Sequence, residues 1–447
     1  MMPFEIQNIK KGIVLVSCCV LLLFNAAAQP NAQKVFTEDI DHFWTAYDSC
    51  RTTTDSLKQL HFVQTLYVDK GTEGLLAFMK ARDYSAPLWV SLIRNYPRFW
   101  NSIRPATNTV KSKAGDIETS IQKFKRLYPQ LRPAKMYFTI GGFRSGGTTM
   151  NDLVLVGTEI AAAGPSTDVS EFPEKWKWLT DVFRSQRLDN IVSLNVHEYV
   201  HTQQRGEAVN LLGDCIMEGA CDFVTELVMG RLLQNNYIVY GRAHETELKA
   251  QFKTEMFSPA SGNWLYNASS AATVADLGYF MGYTICKQYY KIAVNKQQAL
   301  REIIELDYSD TAAVEAFLRK SQYFKEPLYK TQLVQAYEAK RPMVTGTAPF
   351  VNGDTLVDPA VKEIHILFSA PMDKRRYSVT PGEKGKETWP VTGITGFSAD
   401  GTAFTLQLDL RPGREYEIRV SERNFASAEG FFLKPYTVKF RTRAAQR

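Results

Sequence analysis

The chain has 447 residues, 45% of them hydrophobic and 22% charged, with a formal net charge of +6. That composition predicts two or three globular domains with a sizeable core and excludes a long disordered chain. The mild positive excess gathers into no basic block, so nothing points to nucleic acid as a partner.

Lys10 and Lys11 precede the apolar run GIVLVSCCVLLLF, which is followed by NAAAQP. A basic start, an apolar stretch and small residues at Ala26 and Ala28 make a secretory signal, with cleavage expected after Ala28. The run is shorter than the roughly 20 residues a membrane span needs. Leu15-Val16-Ser17-Cys18 also fits a lipobox, so a lipid anchor at Cys18 is the alternative; the apolar residues beyond Cys18 argue against it. The expected location is periplasmic, secreted or cell-surface. Cys50, Cys215, Cys221 and Cys286 remain beyond the signal. An exported protein can pair them, and the spacing does not say how.

Residues 36–130 carry apolar side chains at helical spacing, as in FWTAYDSC, LKQLHFVQTLY and LLAFMKA. Then the pattern changes. KMYFTIGGFRSGG, 135–147, and LVLVGTEIA, 153–161, read as strands that pair as a hairpin across the glycine-rich turn. That glycine loop has no Gly-Lys-Ser/Thr ending, which rejects a phosphate loop. From Asp189 to about Ala339 the pattern is helical again. After Arg341-Pro342 come short runs rich in Thr, Val and Gly, such as EIHILFS, TAFTLQLDL, EYEIRV and YTVKFRTR. They predict a β-sandwich of about 100 residues.

The stretch NVHEYVHTQQ, 195–204, holds the chemistry. Asp189 or Asn190 is expected to cap a helix from Ile191. On it His197 and His201 stand at i and i+4, so both imidazoles share one face. Two such rings one turn apart suit zinc, and Glu198 beside the first is placed to act as general base on a water. Six histidines in 447 residues predict roughly 0.005 HExxH matches by chance. In the following helix, CIMEGACDFVTELVMG, Glu218 is the candidate third ligand and Asp222, at i+4, the candidate partner for a ligand histidine. Alone, Glu218 reads as a helix N-terminal acid. Cys221 is a competing ligand, about 300° around the helix from Glu218.

HEYVH followed by EGACD resembles the gluzincin clan of zinc metallopeptidases. With YFTIGGFRSGGTTMNDLVLVGTEIA, the chain looks closest to bacterial predicted zinc-dependent proteases of unassigned substrate, over roughly 135–290. The resemblance implies one zinc per chain on His197, His201 and Glu218, and a peptide or protein substrate. It also implies an edge strand above the active-site helix that pairs with extended substrate, at 153–159 or 136–140. Two departures stand out: Cys221 sits where alanine is usual, and the Gly-x-Met-Glu-Asn signature of the aminopeptidases is absent. For the oxyanion donor, Tyr279 and Tyr283 are candidates at i and i+4, with Gly278 and Gly282 opening space for close helix approach. Two core tyrosines are the equal alternative. His244 is a weaker candidate; His42, His61 and His365 read as structural.

VNGDTLVDPAVKEIHILFSAPMDKRRYSV resembles a bacterial Ig-like domain, on Val357, Pro359, Ile364, Phe368-Ser369 and Pro371-Met372-Asp373. Such domains space or bind, which makes a cell-envelope or surface ligand a candidate partner. The expected fold is α+β: a mostly helical zincin-type metallopeptidase domain with a small sheet, then an all-β Ig-like sandwich. The expected boundaries are a signal at 1–28, a helical N-terminal region at 29–130, a gluzincin-like catalytic domain at 131–340 and the sandwich at 342–447. The expected function is an exported zinc peptidase. The rival is a non-catalytic envelope or surface binding protein with a structural or vestigial zinc site.

Overall fold

A computed structural model describes residues 34–186, 188–267, 273–421 and 424–444. The expected signal and its lipobox cysteine lie outside them. The fold is α+β. The N-terminal helices are α1 (Glu38–Arg51), α2 (Ser56–Val63), α3 (Glu73–Arg82), α4 (Ala86–Asn95) and α5 (Pro97–Leu127). Local signals set their starts. Asp55 accepts from the N–H groups of Leu57 and Lys58, and Thr72 accepts from Leu75. Prolines sit in the first turns of α4 and α5, where no donor is needed. Their apolar faces bury Phe43, Trp89 and Trp100.

A four-stranded sheet follows, from β1 (Val35–Phe36), β2 (Lys135–Thr139), β3 (Gly147–Met150) and β4 (Leu153–Gly157), in the order β1-β2-β4-β3. Here the expected hairpin is corrected. The runs at 135 and 153 pair in parallel, Met136 opposite Val154, and the true hairpin joins β3 to β4. The turn is made by Asn151, at φ 56°, a left-handed conformation that asparagine tolerates. β4 is buried along its whole length, as a strand covered on both faces must be. The sheet has two edge strands, β1 and β3; the one beside α8 is β3, neither of the two segments expected.

The N-terminal helices hold the loop that leads into β3. Tyr67 Oη donates to the Ile140 carbonyl at 2.6 Å and accepts from the Ile140 N–H at 2.9 Å. Trp89 Nε1 donates to the Gly141 carbonyl at 2.8 Å. From below, the buried Glu159 of α6 (Thr158–Ala161) accepts from the N–H groups of Gly141 and Phe143, at 2.7 and 3.2 Å.

The helical remainder comprises α7 (Lys177–Ser185), α8 (Ile191–His201), α9 (Leu211–Met229), α10 (Asn236–Ala243), α11 (Glu245–Glu255), α12 (Leu277–Ile292), α13 (Lys296–Ile304), α14 (Thr311–Ser321) and α15 (Lys330–Lys340). A short 3-10 turn, Leu188–Asn190, feeds α8, and Asn190 makes no side-chain cap bond. α9 and α12 meet backbone to backbone. A Cβ on Gly282 would lie 1.6 Å from the Cys215 carbonyl oxygen, and one on Gly219 would lie 2.0 Å from the Tyr283 nitrogen. Cys50, Cys215, Cys221 and Cys286 are all free and buried. No helix among the described residues is long and apolar enough to cross a membrane.

The C-terminal strands form two antiparallel sheets. β5 (Val344–Ala348), β6 (Glu363–Phe368), β9 (Ala403–Leu408) and β8 (Val391–Phe397) make one; β11 (Tyr436–Arg441), β10 (Glu415–Val420) and β7 (Val379–Pro381) make the other. Alternate residues point inward, so Ile364, Ile366, Phe404, Leu406, Ile418 and Val438 fill a core of their own. A separate buried cluster runs from Val35 to Phe324 and joins the N-terminal helices to α8 and α9.

Two tests follow from this packing. Gly282→Ala should cost about 3 kcal/mol, the upper end for overpacking, and lower the thermal midpoint accordingly; an unchanged midpoint would show that the helices separate freely. Burial pushes the Glu159 carboxyl up from 4.5 to about 7, against the N–H groups it accepts from. With the folded value above the unfolded one, its stabilising contribution is full below about 4.5 and is lost as pH rises through about 7. Glu159→Gln should flatten that part of the melting profile; the same slope in the variant would contradict it.

Candidate metal centre

α8 and α9 lie side by side, and helical periodicity puts His197 and His201 on the face that meets Glu218 and Asp222. His197 Nε2 is 3.3 Å and His201 Nε2 is 3.2 Å from the same oxygen, Glu218 Oε2. The other ring nitrogens are taken. His197 Nδ1 is 2.9 Å from Asp222 Oδ1, and His201 Nδ1 is 2.7 Å from Gln204 Oε1. Gln204 Nε2 donates to the Met217 carbonyl at 2.7 Å, which fixes the amide with its oxygen toward the ring. Both Nδ1 atoms therefore carry the proton.

That assignment has an electrostatic consequence. Each neutral Nε2 is then an acceptor, and it faces a carboxylate, also an acceptor. Such atoms at these distances require positive charge between them, from protons or from a cation. Burial opposes charge on His197, yet Asp222 and Glu218 outweigh it and hold the ring well above its ordinary range. Burial likewise disfavours the charge on Glu218, but His201 and His197 keep its carboxyl well below the usual range. The donor chemistry fits a divalent metal: two imidazoles of fixed tautomer and one carboxylate.

A second donor set shares the histidines. Donor atoms of His197, His201 and Cys221 lie within 4.8 Å of one another, so these three can hold a metal ion. Cys221 Sγ, however, is 3.4 Å from His201 Nδ1, the nitrogen already occupied by Gln204. Burial also pushes the Cys221 thiol up to about 12. The Nε2 side, where Glu218 lies, is the better-formed set.

A cleft of about 1050 Å³ opens onto His197 and Glu198. Gly147 of β3 lines it, and a Cβ there would lie 3.4 Å from Glu198 Oε1, so the Glu198 carboxylate lies against the edge strand. Val156, Ile160, Ala161 and Trp178 give the cleft an apolar part. Tyr279 lines it too and stacks on His197, with ring centroids 5.9 Å apart. Burial holds the Tyr279 hydroxyl well above its usual range, so it stays protonated. Tyr283 goes elsewhere: its hydroxyl donates to Glu226 at 2.6 Å and accepts from Lys287 at 2.6 Å, and it does not line the cleft. His244 is bonded to the Tyr240 carbonyl and stacked on the Tyr240 ring. His42 sits by Asp39, His61 by Phe62 and His365 by Thr405.

Three residues at the site escaped sequence reasoning. Gln204 orients His201. Tyr237 lines the cleft and donates to Asp222 Oδ1 at 3.4 Å. Tyr266 donates to Glu218 Oε1 at 2.5 Å. Gln204, at i+3 from His201, carried a usable signal; the two tyrosines carried none.

No protein-family model and no curated protein matches the chain. Among solved structures, the crystal structure of CopC from Methylosinus trichosporium OB3b is 16% identical, over 24% of this chain and 98% of its own, with a TM-score of 0.19. The crystal structure of the S-layer protein rSbsC(31-844) is 11% identical, over 91% of this chain and 45% of its own, with a TM-score of 0.18. At those TM-scores neither carries an argument about this chain.

The two donor sets are separable. After zinc loading and gel filtration, metal content by mass spectrometry should fall sharply in Glu218→Ala and stay at the wild-type level in Cys221→Ala. The reverse pattern would give the site to the cysteine.

Proposed function

We propose that this chain is an exported zinc-dependent peptidase of gluzincin type, with one zinc held by His197, His201 and Glu218. The observation that carries the reading is the convergence of both Nε2 atoms on Glu218, with Glu198 one residue along and facing the edge strand. Bound there, zinc would supply Lewis-acid activation of a water and of the scissile carbonyl.

The protein's own groups supply the rest. Among the described residues no strand pairs with the outer side of β3, so an extended peptide adds to it through main-chain hydrogen bonds and comes to lie beside Glu198. Glu198 takes the proton of the attacking water and returns it to the leaving amine. Tyr279 donates its hydroxyl to the carbonyl oxygen as negative charge develops there. Asp222 and Gln204 hold the two rings so that neither has to reorient. The apolar part of the cleft favours an apolar side chain next to the cleaved bond. Export rests on the sequence of the first 28 residues. An Ig-like C-terminal module fits a surface or envelope ligand.

A second reading rests on Cys221. A thiolate closing the coordination would make the site structural, and the protein a surface binding protein.

The test is a peptide-library digest read by mass spectrometry. The zinc-loaded chain should cleave, and Glu198→Gln should lose about 10²–10⁴-fold in rate while keeping its zinc. Undiminished cleavage by Glu198→Gln would overturn the peptidase mechanism.

A further inference from the structure

Tyr266 is an unusual partner for a buried carboxylate. Glu218 is 5% exposed, whereas Tyr266 is 68% exposed. Its backbone is at φ 55°, a left-handed conformation that costs a tyrosine free energy. Even so, its hydroxyl reaches Glu218 Oε1 at 2.5 Å, and its ring stands edge-on to Tyr279 at 6.4 Å. A strained, largely exposed side chain keeps one position only when its own segment is held.

The segment 258–267 is held from two sides: in the helical part Trp264 Nε1 donates to Glu255 and the Asp276 N–H donates to Asn267 Oδ1, and the connections between the C-terminal strands grip it as well. Arg376, in the connection between β6 and β7, donates to Asn263 Oδ1 at 2.6 Å and to the Gly262 carbonyl at 3.2 Å. Asn263 Nδ2 donates to the Gly430 carbonyl at 2.8 Å and to Glu255 Oε2 at 2.9 Å. Asn267 Nδ2 donates back to the Asn263 carbonyl at 2.7 Å. Ala260 packs with Ala426 and Phe432 in a small buried cluster, and the Arg376 guanidinium lies 5.8 Å from the Phe432 ring centroid. A continuous set of bonds and contacts thus runs from the β6–β7 connection to the segment that carries Tyr266.

We infer that Tyr266 is a positioning residue for Glu218, and that the C-terminal strand region sets its position through Arg376 and Asn263. The bond to Oε1 fixes the carboxylate rotation, which leaves Oε2 facing the two imidazoles. The C-terminal region thereby tunes metal affinity in the helical part, besides any ligand it meets. This inference rests on the metal-site reading above.

The test is zinc affinity, measured on the full chain by competition with a chromophoric chelator. Tyr266→Phe keeps the ring and should weaken zinc by about 10–100-fold, the usual effect of losing a ligand's partner. Arg376→Gln should weaken it by about two- to tenfold, and Arg376→Lys should recover most of that loss. In the Tyr266→Phe background, Arg376→Gln should add nothing, because the two act in series. Zinc-free melting midpoints equal to wild type accompany the expected result and separate positioning from unfolding. Wild-type zinc affinity in Tyr266→Phe, or losses that multiply in the double variant, would overturn the inference and leave the metal site standing. A wild-type chain that binds no zinc would overturn the metal site, and the inference with it.

Discussion

The carboxylate of Glu218 is the constraint on which the site depends. It is buried between two helices, and an unpaired charge there would cost several kcal/mol (of order). The compensation comes from His197 and His201 on one side and Tyr266 on the other. Each partner is fixed in turn: Asp222 turns the first ring, Gln204 the second, and Asn263 anchors the segment of the tyrosine. Asp222 Oδ2 is buried without a hydrogen-bond partner among the described residues. Two buried carboxylates thus face two imidazoles, and a divalent cation is one group that, like protons on the rings, balances them.

The rest of the fold brings these helices to that distance. α9 carries Glu218 and Asp222 and must stay within reach of α8. Behind it, α12 lies so close at Gly219 and Gly282 that no side chain fits between the backbones. In front, the β2–β3 loop is tied by Tyr67, Trp89 and Glu159, which sets β3 beside Glu198. The N-terminal helices are therefore part of the frame of the site, and share its core.

What the sequence made legible follows from periodicity. His197, Glu198 and His201 fall into place because 3.6 residues per turn leaves little freedom, and Glu218 with Asp222 obeys the same rule. The antiparallel C-terminal strands were legible from alternation. The edge strand was not: Gly147-Thr148-Thr149-Met150 is short, begins with glycine and has no apolar alternation, so it reads as a turn. With it hidden, the parallel pairing of β2 and β4 was hidden too. Tyr279 and Tyr283 share a helical face, yet the face turns enough over four residues for Glu226 and Lys287 to claim the second. Tyr266 lies in an irregular segment, where no repeat marks a functional residue.

The most direct measurement is zinc K-edge X-ray absorption on the zinc-loaded full chain. The account predicts a shell of nitrogen and oxygen alone, at about 2.0–2.1 Å, from two imidazoles and a carboxylate. A sulfur scatterer at about 2.3 Å would put Cys221 on the metal and make the centre structural. A chain that takes up no zinc would remove the centre altogether.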